Sequence, residues 1–182
     1  MAEDPYSTRV FYLAQSRVCP TSYKELKERL EENEPFKTDF IGVSEEDCQQ
    51  WVKENAAQVN FIVPDLIAIA DARSAKDGTI LIQVYQHDYT PSEDEPGFPP
   101  FGILPPLDKS RTWWSYRVDL EGASEALLDL GEFGVIEAAL PYYGYKDRLT
   151  DEHGIFNAKK AKRITLGEDP ETVLNEGSNP QA

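Results

Sequence analysis

The stretch LIAIADARSAKDGTILIQVYQ, residues 66–86, decides the fold of this chain. Its first part, residues 66–70, is an apolar run without polar alternation, which is typical of a strand buried on both faces. Its last part, residues 79–86, is rich in β-branched residues and predicts a second strand. Between the two, an Asp-Gly pair favours a turn, so residues 71–78 form either a wide hairpin or a short helical crossover.

Further strands and helices are predicted on both sides of this stretch. Ser22 and Ser44 are expected to cap two helices, because each is followed three residues later by an acidic side chain. Together the elements predict an α/β or α+β protein, with helices packed on a single mixed sheet of about five to six strands. The other predicted strands are residues 9–15, 36–41, 59–63 and 112–120, and the other predicted helices are residues 122–130 and 132–140.

A long proline-rich insertion, residues 88–111, separates the strand at residues 79–86 from the next one. It contains six prolines and an acidic run. A connection of this length is usually a lid, a partner-binding segment or a passive cover, and all three alternatives stay open. Residues 1–156 are predicted to form one domain, followed over residues 157–182 by a basic stretch and a flexible tail.

The charge balance restricts the partners of the protein. Its 33 acidic and 18 basic residues give a net charge of −15, which repels nucleic acid and anionic membranes. A small-molecule ligand or a protein partner remains possible. Cys19 and Cys48 are too few for a disulfide framework, and the N-terminus lacks the basic and apolar segments of a secretion signal. These features predict a soluble, cytoplasmic protein without a cofactor.

Several short motifs resemble those of a small family of proteins of unknown function from actinobacteria and fungi. The motifs are a Thr-Asp-Phe strand, a helix with a central Trp and an apolar strand that ends in Asp, here Thr38 to Phe40, Trp51 and Leu66 to Asp71. A Tyr-Arg-Val strand and a Gly-Ile-Phe turn near the end complete the resemblance, which covers residues 36–156. The resemblance implies an α/β fold and supplies no activity.

Side chains suited to acid–base chemistry fall at or near the ends of three predicted strands. They are Lys37 with Asp39, Asp71 with Arg73, and His87. If those strands run parallel, these groups converge on one edge of the sheet. His87, Asp71 and Asp39 are then the catalytic candidates, because an imidazole beside carboxylates can transfer protons near neutral pH. Arg73 and Lys37 would bind an anionic group of a substrate. The chain has two histidines, which excludes a three-histidine zinc site, and no metal site is predicted.

Aromatic side chains on two predicted strands form the second candidate site. Tyr85, Trp114 and Tyr116 could line one wall of a pocket for an apolar or planar molecule. Trp113 and Trp114 must point to opposite faces of their strand, since side chains alternate along a strand. The same rings could equally serve as part of the core.

Three hypotheses for function remain after these observations. The favoured one is a small-molecule-binding protein, with enzyme activity at the strand ends left open. A protein-interaction module is the second, with the proline-rich insertion or the acidic surface as the contact. The third is a structural or oligomeric domain, in which the strand at residues 9–15 pairs across a homodimer.

Overall fold

The fold is taken from a computed structural model. His87, the insertion and residues 132–139 of the helix predicted at residues 132–140 lie outside the residues that the structure describes. The described part of the chain divides into two compact units, of which the first ends at Ile67 and the second begins at Ala68. The described residues are 12–27, 30, 33–86, 112–131 and 140–176.

The first unit contains the helix that the sequence predicts after Ser44. Helix α1, Glu45–Ala56, begins where the Ser44 Oγ accepts a hydrogen bond from the backbone N–H of Asp47 at 3.1 Å. Acidic residues fill its first turn, where they complement the positive end of the helix dipole. Its inward side buries Val52 and Asn55. The capping prediction is therefore confirmed.

Other predictions for the first unit are wrong. Residues 36–38 are irregular and residues 39–42 form a turn, and the Thr38 hydroxyl donates to the carbonyl of Ala14 and accepts from the N–H of Phe40. Such local side-chain hydrogen bonds compete with strand pairing. Residues 59–63 are irregular as well. The helix predicted after Ser22 is one 3₁₀ turn, Tyr23–Glu25, and the described part of the strand at residues 9–15 makes a single bridge.

The sheet contains three strands in the order β1, β2, β3 and is antiparallel. They are β1, Leu66–Ile69, β2, Thr79–Gln86, and β3, Thr112–Asp119. The described residues therefore do not support five to six strands in a mixed sheet. Strand β1 lies at an edge and all four of its residues are half-buried, so the expected burial on both faces is wrong.

Strands β2 and β3 pair antiparallel from Thr79 opposite Asp119 to Gln86 opposite Thr112. The long connection, residues 87–111, therefore joins two neighbouring strands of one hairpin. Between β1 and β2, helix α2, Ser74–Asp77, ends at Gly78 with a φ of +70°. Because β1 and β2 are neighbours in an antiparallel sheet, residues 71–78 form the wide hairpin of the two alternatives, and this hairpin contains one helical turn.

Helices and a π-helical turn complete the second unit. Helix α3, Ala123–Gly131, packs against β2 and β3, and helix α5, Ala158–Thr165, packs against α3, the π-helical turn at Leu140–Gly144, and helix α6, Pro170–Asn175. Helix α6 forms where a tail without structure was expected, because Asp169 caps it and Pro170 occupies its first position. The elements are α3, Ala123–Gly131, the π-helical turn, Leu140–Gly144, α4, Lys146–Leu149, α5, Ala158–Thr165, and α6, Pro170–Asn175.

The core of the second unit is aromatic. The ring of Tyr116 lies edge-on to the rings of Tyr142 and Phe156, at centroid distances of 5.5 and 5.1 Å. All three side chains are buried, and Ile82 and Val118 beside them are completely covered. The turn that leads to Phe156 contains Gly154 at a φ of +75°, a conformation that glycine adopts readily. No helix in the described ranges is long and apolar enough to span a bilayer.

Candidate functional site

The predicted aromatic residues lie on two different faces of the sheet. Trp114 and Tyr116 are two residues apart on β3 and therefore share a face. Trp113 lies on the other face, where its ring is 5.3 Å from that of its strand partner Tyr85. The prediction that Trp113 and Trp114 point to opposite faces is confirmed. Trp114 and Tyr116 thus form an aromatic wall on one face of the sheet, and Tyr85 lies with Trp113 on the other face.

A lysine that sequence analysis missed lies against this wall. The Nζ of Lys146 is 5.1 Å from the ring centroid of Tyr116 and 5.4 Å from that of Trp114. The neighbouring ring of Tyr143 meets Trp114 edge-on at 4.9 Å. Lys146 begins α4 directly after the π-helical turn that carries Tyr143, which explains why the two approach the sheet together. We name Lys146, Trp114, Tyr116 and Tyr143 the Lys146 site.

The ammonium group of this site is half-buried, and no carboxylate of the described residues forms an ion pair with it. Burial lowers the pKa of Lys146, and the carboxylate of Asp147 opposes that effect. Within the described ranges, the Lys146 Nζ donates no hydrogen bond to a carboxylate, hydroxyl or carbonyl oxygen. The two ring faces replace part of the lost hydration, since cations are attracted to the faces of aromatic rings. The site therefore presents one positive charge that is open to an anion.

The two tyrosines of the site are neutral near neutral pH. Burial raises the pKa of Tyr143 to about 12 and that of Tyr116 well above its usual value. The Tyr116 hydroxyl donates to the carbonyl of Tyr142 at 2.8 Å, which fixes the ring under Lys146. Lys146 is consequently the group of the site that carries charge, and of its three rings Tyr116 and Tyr143 are buried while Trp114 is half-buried.

The predicted catalytic residue Asp71 lies in a different cluster, in an ion pair with Arg117. The Oδ2 of Asp71 accepts from Arg117 Nη2 at 2.5 Å, and its Oδ1 accepts from Arg117 Nη1 at 3.1 Å. Ser74 donates to the same carboxylate through its N–H and its hydroxyl. These hydrogen bonds, led by those of Arg117, hold the pKa of Asp71 far below its usual value. A carboxylate so fully paired stays ionised and acts as an anchor.

The antiparallel direction of the strands removes the condition under which Asp71 and His87 were expected to converge. Arg117 Nη1 also donates to the Thr79 hydroxyl at 3.2 Å, so Asp71 lies where β2 begins. His87, outside the described residues, follows Gln86, where β2 ends. The eight residues of β2 span about 23 Å at the usual rise per residue. The condition for convergence was parallel strands, and the sheet is antiparallel.

Arg73, predicted to bind a substrate anion, is engaged by the protein itself. Its Nη2 donates to the carbonyl of His153 at 2.7 Å, and its Nε donates to Asp77 at 2.7 Å. A Cβ added at Gly154 would lie 4.0 Å from Arg73 Nη1, at ordinary van der Waals distance. Arg73 therefore connects α2 to the turn that contains His153 and Gly154.

Lys37 and Asp39, the remaining predicted residues, belong to the first unit and are exposed there. The Oδ2 of Asp39 accepts from the N–H of Arg17 at 3.2 Å, and the carbonyl of Lys37 accepts from Gln15 Nε2 at 3.4 Å. An open cleft of about 610 Å³ lies along α1 in this unit, and neither residue lines it. Its lining includes Arg17, Cys19, Asp47, Trp51, Glu54 and Asn55.

The residues that sequence analysis missed had identifiable signals. Lys146 follows three tyrosines in the segment PYYGYKDRL, residues 141–149, and a cation among aromatic residues suggests a cation–π contact. Arg117 lies on a strand between two apolar residues, so its charge needed a carboxylate partner. Neither signal identifies the partner, because Trp114 and Lys146 are 32 positions apart in the sequence.

The site must be interpreted from its own chemistry. Within the described ranges, no three His, Cys, Asp or Glu side chains are placed to hold a metal ion. No protein-family model, no curated protein and no solved structure matches the chain.

Proposed function

We propose that this protein binds a small planar anion, of the aromatic carboxylate class, at the Lys146 site. The observation that carries the proposal is the half-buried ammonium of Lys146, which lies on the faces of Tyr116 and Trp114 without a carboxylate partner among the described residues. A carboxylate bound there supplies the missing negative charge through a charge-assisted hydrogen bond. The aromatic part of the ligand then stacks on or beside Trp114.

The net charge of the protein limits the size and charge of this ligand. A chain with a net charge of −15 repels polyanions, so a ligand with several phosphates is disfavoured at long range. A single carboxylate experiences less of that repulsion and gains the direct contact with Lys146. A flat ring can also contact Trp114, which is half-buried, and an inorganic anion gains nothing from that contact. These two arguments favour a small aromatic monoanion.

The alternative functions depend on other parts of the chain. The protein-interaction hypothesis depends on residues 88–111 or on the acidic surface, and the oligomeric hypothesis depends on residues 9–15. Residues 88–111 and 9–11 lie outside the described residues. His87, the predicted acid or base, also lies outside the described residues. Ligand binding at the Lys146 site is the function for which the described side chains supply a specific observation.

A fluorescence titration tests the proposal, because Trp114 belongs to the site. The probe is 4-methylbenzoate, and 4-methylbenzamide serves as a ligand of the same shape without charge. We expect the carboxylate to quench the tryptophan emission in a saturable manner and to bind more tightly than the amide. Lys146→Met should weaken carboxylate binding about tenfold or more, because a charge-assisted hydrogen bond contributes about 1.5–3 kcal/mol.

Matched variants separate charge from shape. Lys146→Arg keeps the positive charge and should weaken binding far less than Lys146→Met. Lys76→Met removes an exposed lysine from α2 and controls for the loss of one positive charge. Circular dichroism establishes that each variant is folded. Equal binding of the carboxylate and the amide, or equal binding by the wild type and a folded Lys146→Met variant, would contradict the proposal.

A further inference from the structure

We propose that the cleft along α1 in the first unit binds a linear alkyl diamine. The site is separate from the Lys146 site and takes a cation, so the inference does not depend on the proposed function. The cleft has a volume of about 610 Å³, within the range of about 300–1,000 Å³ that is usual for small-molecule sites. Its lining combines a buried acceptor, two carboxylates and an indole ring, which belong to Asn55, Asp47, Glu54 and Trp51.

The buried acceptor of the cleft is the side-chain oxygen of Asn55. The residue is only 4% exposed, and its Nδ2 donates to the carbonyl of Trp51 at 2.7 Å. Because that carbonyl requires a donor, it fixes the orientation of the amide and leaves Oδ1 as the second polar atom. Oδ1 accepts no hydrogen bond from the described residues. A buried acceptor without a partner lowers stability, and an ammonium group of a ligand in the cleft supplies the missing donor.

Two carboxylates on the same side of α1 supply negative charge. Asp47 and Glu54 are seven positions apart, which is nearly two helical turns and about 10 Å along the axis. Neither forms an ion pair with a lysine or arginine of the described residues, and Glu54 accepts from the neutral Gln50 Nε2 at 2.7 Å. A compact cation reaches one of these carboxylates, whereas an extended diamine places an ammonium group at each.

The indole ring of Trp51 lies between the two carboxylates in the sequence, four positions after Asp47 and three before Glu54. These spacings place the three side chains on one side of the helix. The Nε1 of Trp51 donates to the carbonyl of Arg17 at 2.8 Å, and the ring of Phe40 meets the indole edge-on at 5.2 Å. The ring is half-buried, so its remaining surface can contact the alkyl chain and its face attracts an ammonium group.

Arg17 supplies an opposing charge, because it lines the same cleft. Its guanidinium repels an ammonium ligand and competes with it for the carboxylates. The backbone of Arg17 makes the printed contacts, since its N–H donates to Asp39 and its carbonyl accepts from Trp51. Arg17→Met therefore keeps these contacts and should strengthen diamine binding. Lys76→Met, an exposed change outside the cleft, controls for the general effect of one lost positive charge.

Isothermal titration calorimetry of the full-length protein with 1,5-diaminopentane tests the inference. We expect saturable binding at one site, tighter than that of 1-aminopentane, which has one ammonium group. Asp47→Asn and Glu54→Gln should each weaken diamine binding about threefold or more, because each removes one exposed charge partner. Glu46→Gln removes an exposed carboxylate of α1 that does not line the cleft, so it should leave binding nearly unchanged. Circular dichroism establishes that each variant is folded.

The side-chain amide of Asn55 gives a second measurement that needs no substitution in the cleft. Its N–H resonances in an NMR spectrum should shift on addition of 1,5-diaminopentane, as Oδ1 gains a donor. Equal weakening by Glu46→Gln and Asp47→Asn would show general attraction to an acidic protein and would overturn the inference. Equal affinity for the diamine and 1-aminopentane, or an unshifted Asn55 amide at saturation, would overturn it as well. Stronger binding by Arg17→Met than by Lys76→Met supports it.

Discussion

Arg117 Nη2 lies 2.5 Å from Asp71 Oδ2, so a single ion pair ties the last strand of the sheet to the turn that follows the first. The Arg117 side chain is only 10% exposed, and that of Asp71 is 35% exposed. Arg117 also donates to the hydroxyl of Thr79 at the start of β2. One guanidinium thus connects β3 both to the start of β2 and to the turn that follows β1.

Replacement of the carboxylate in this pair should destabilise the protein. In Asp71→Asn, the nearly buried guanidinium of Arg117 loses its counter-charge while the shape of the side chain is retained. We expect the free energy of unfolding to fall by about 2 kcal/mol, less than for a fully buried pair because Asp71 is partly exposed. Urea denaturation measures this loss. Asp147→Asn, an exposed change on α4, is the matched control and should have little effect.

The same pair predicts a specific dependence of stability on pH. The pKa of Asp71 is lowered in the folded protein, chiefly by the hydrogen bonds from Arg117. Its contribution is therefore fully present above the unfolded pKa of about 4 and is lost as the pH falls toward the lower folded pKa. We expect the difference in unfolding free energy between wild type and Asp71→Asn to be constant from about pH 8 to pH 5 and to shrink below about pH 4. A difference that grows on acidification would contradict the assignment.

Loss of its charge partner should cost more stability at buried Asp129 than at the partly exposed ion pair of Asp71 and Arg117. Asp129 is completely buried and accepts from Lys162 Nζ at 2.6 Å and from the Tyr142 hydroxyl at 3.0 Å. Lys162→Met removes the positive charge and leaves the carboxylate buried. We expect a loss of about 3 kcal/mol by urea denaturation.

The double variant Asp129→Asn, Lys162→Met supplies the control for that prediction. It removes both charges, so its loss of stability should be smaller than the sum of the two single losses. Additive effects of the two substitutions would show that Asp129 and Lys162 are not coupled, and would contradict the structure.

The hydroxyl of Tyr116 anchors one of the two rings that the Lys146 ammonium contacts. Tyr116→Phe removes the hydrogen bond to the carbonyl of Tyr142 and keeps the ring, so we expect a loss of about 1 kcal/mol by thermal or urea unfolding. Tyr116→Leu also removes the ring contacts with Tyr142 and Phe156, each of which contributes about 0.5–1.5 kcal/mol. The leucine variant should therefore be clearly less stable than the phenylalanine variant. Equal stability of the two variants would contradict a stabilising contribution from the ring contacts of Tyr116.

Local signals in the sequence predicted the local structure well. The start of α1 depends on Ser44 and the N–H groups that follow it, and the strands at residues 79–86 and 112–119 depend on runs of β-forming residues. Gly154 adopts its positive φ within a turn of a few residues. In each case the deciding interactions lie within one turn or one strand, so the sequence contains them directly.

Long-range contacts explain what the sequence did not predict. Residues 36–41 look like a strand, but the hydrogen bond from Thr38 to Ala14 turns them away from strand pairing. The expected convergence of Asp71 and His87 required parallel strands, and strand direction depends on the whole sheet. Asp71 and Arg117 are 46 positions apart, and Lys146 meets Trp114 across 32 positions. No local pattern determines such pairs.

The measurement that tests the account most directly is the pKa of Lys146 with and without ligand. Lysine Nζ resonances are titrated by NMR, and the Lys146 signal is assigned by its absence in Lys146→Arg. We predict a pKa below the usual value for lysine, since burial lowers it, and a rise on addition of 4-methylbenzoate, because a bound carboxylate favours the ammonium form. A Lys146 pKa that is not lowered and is unchanged by the carboxylate would contradict the Lys146 site.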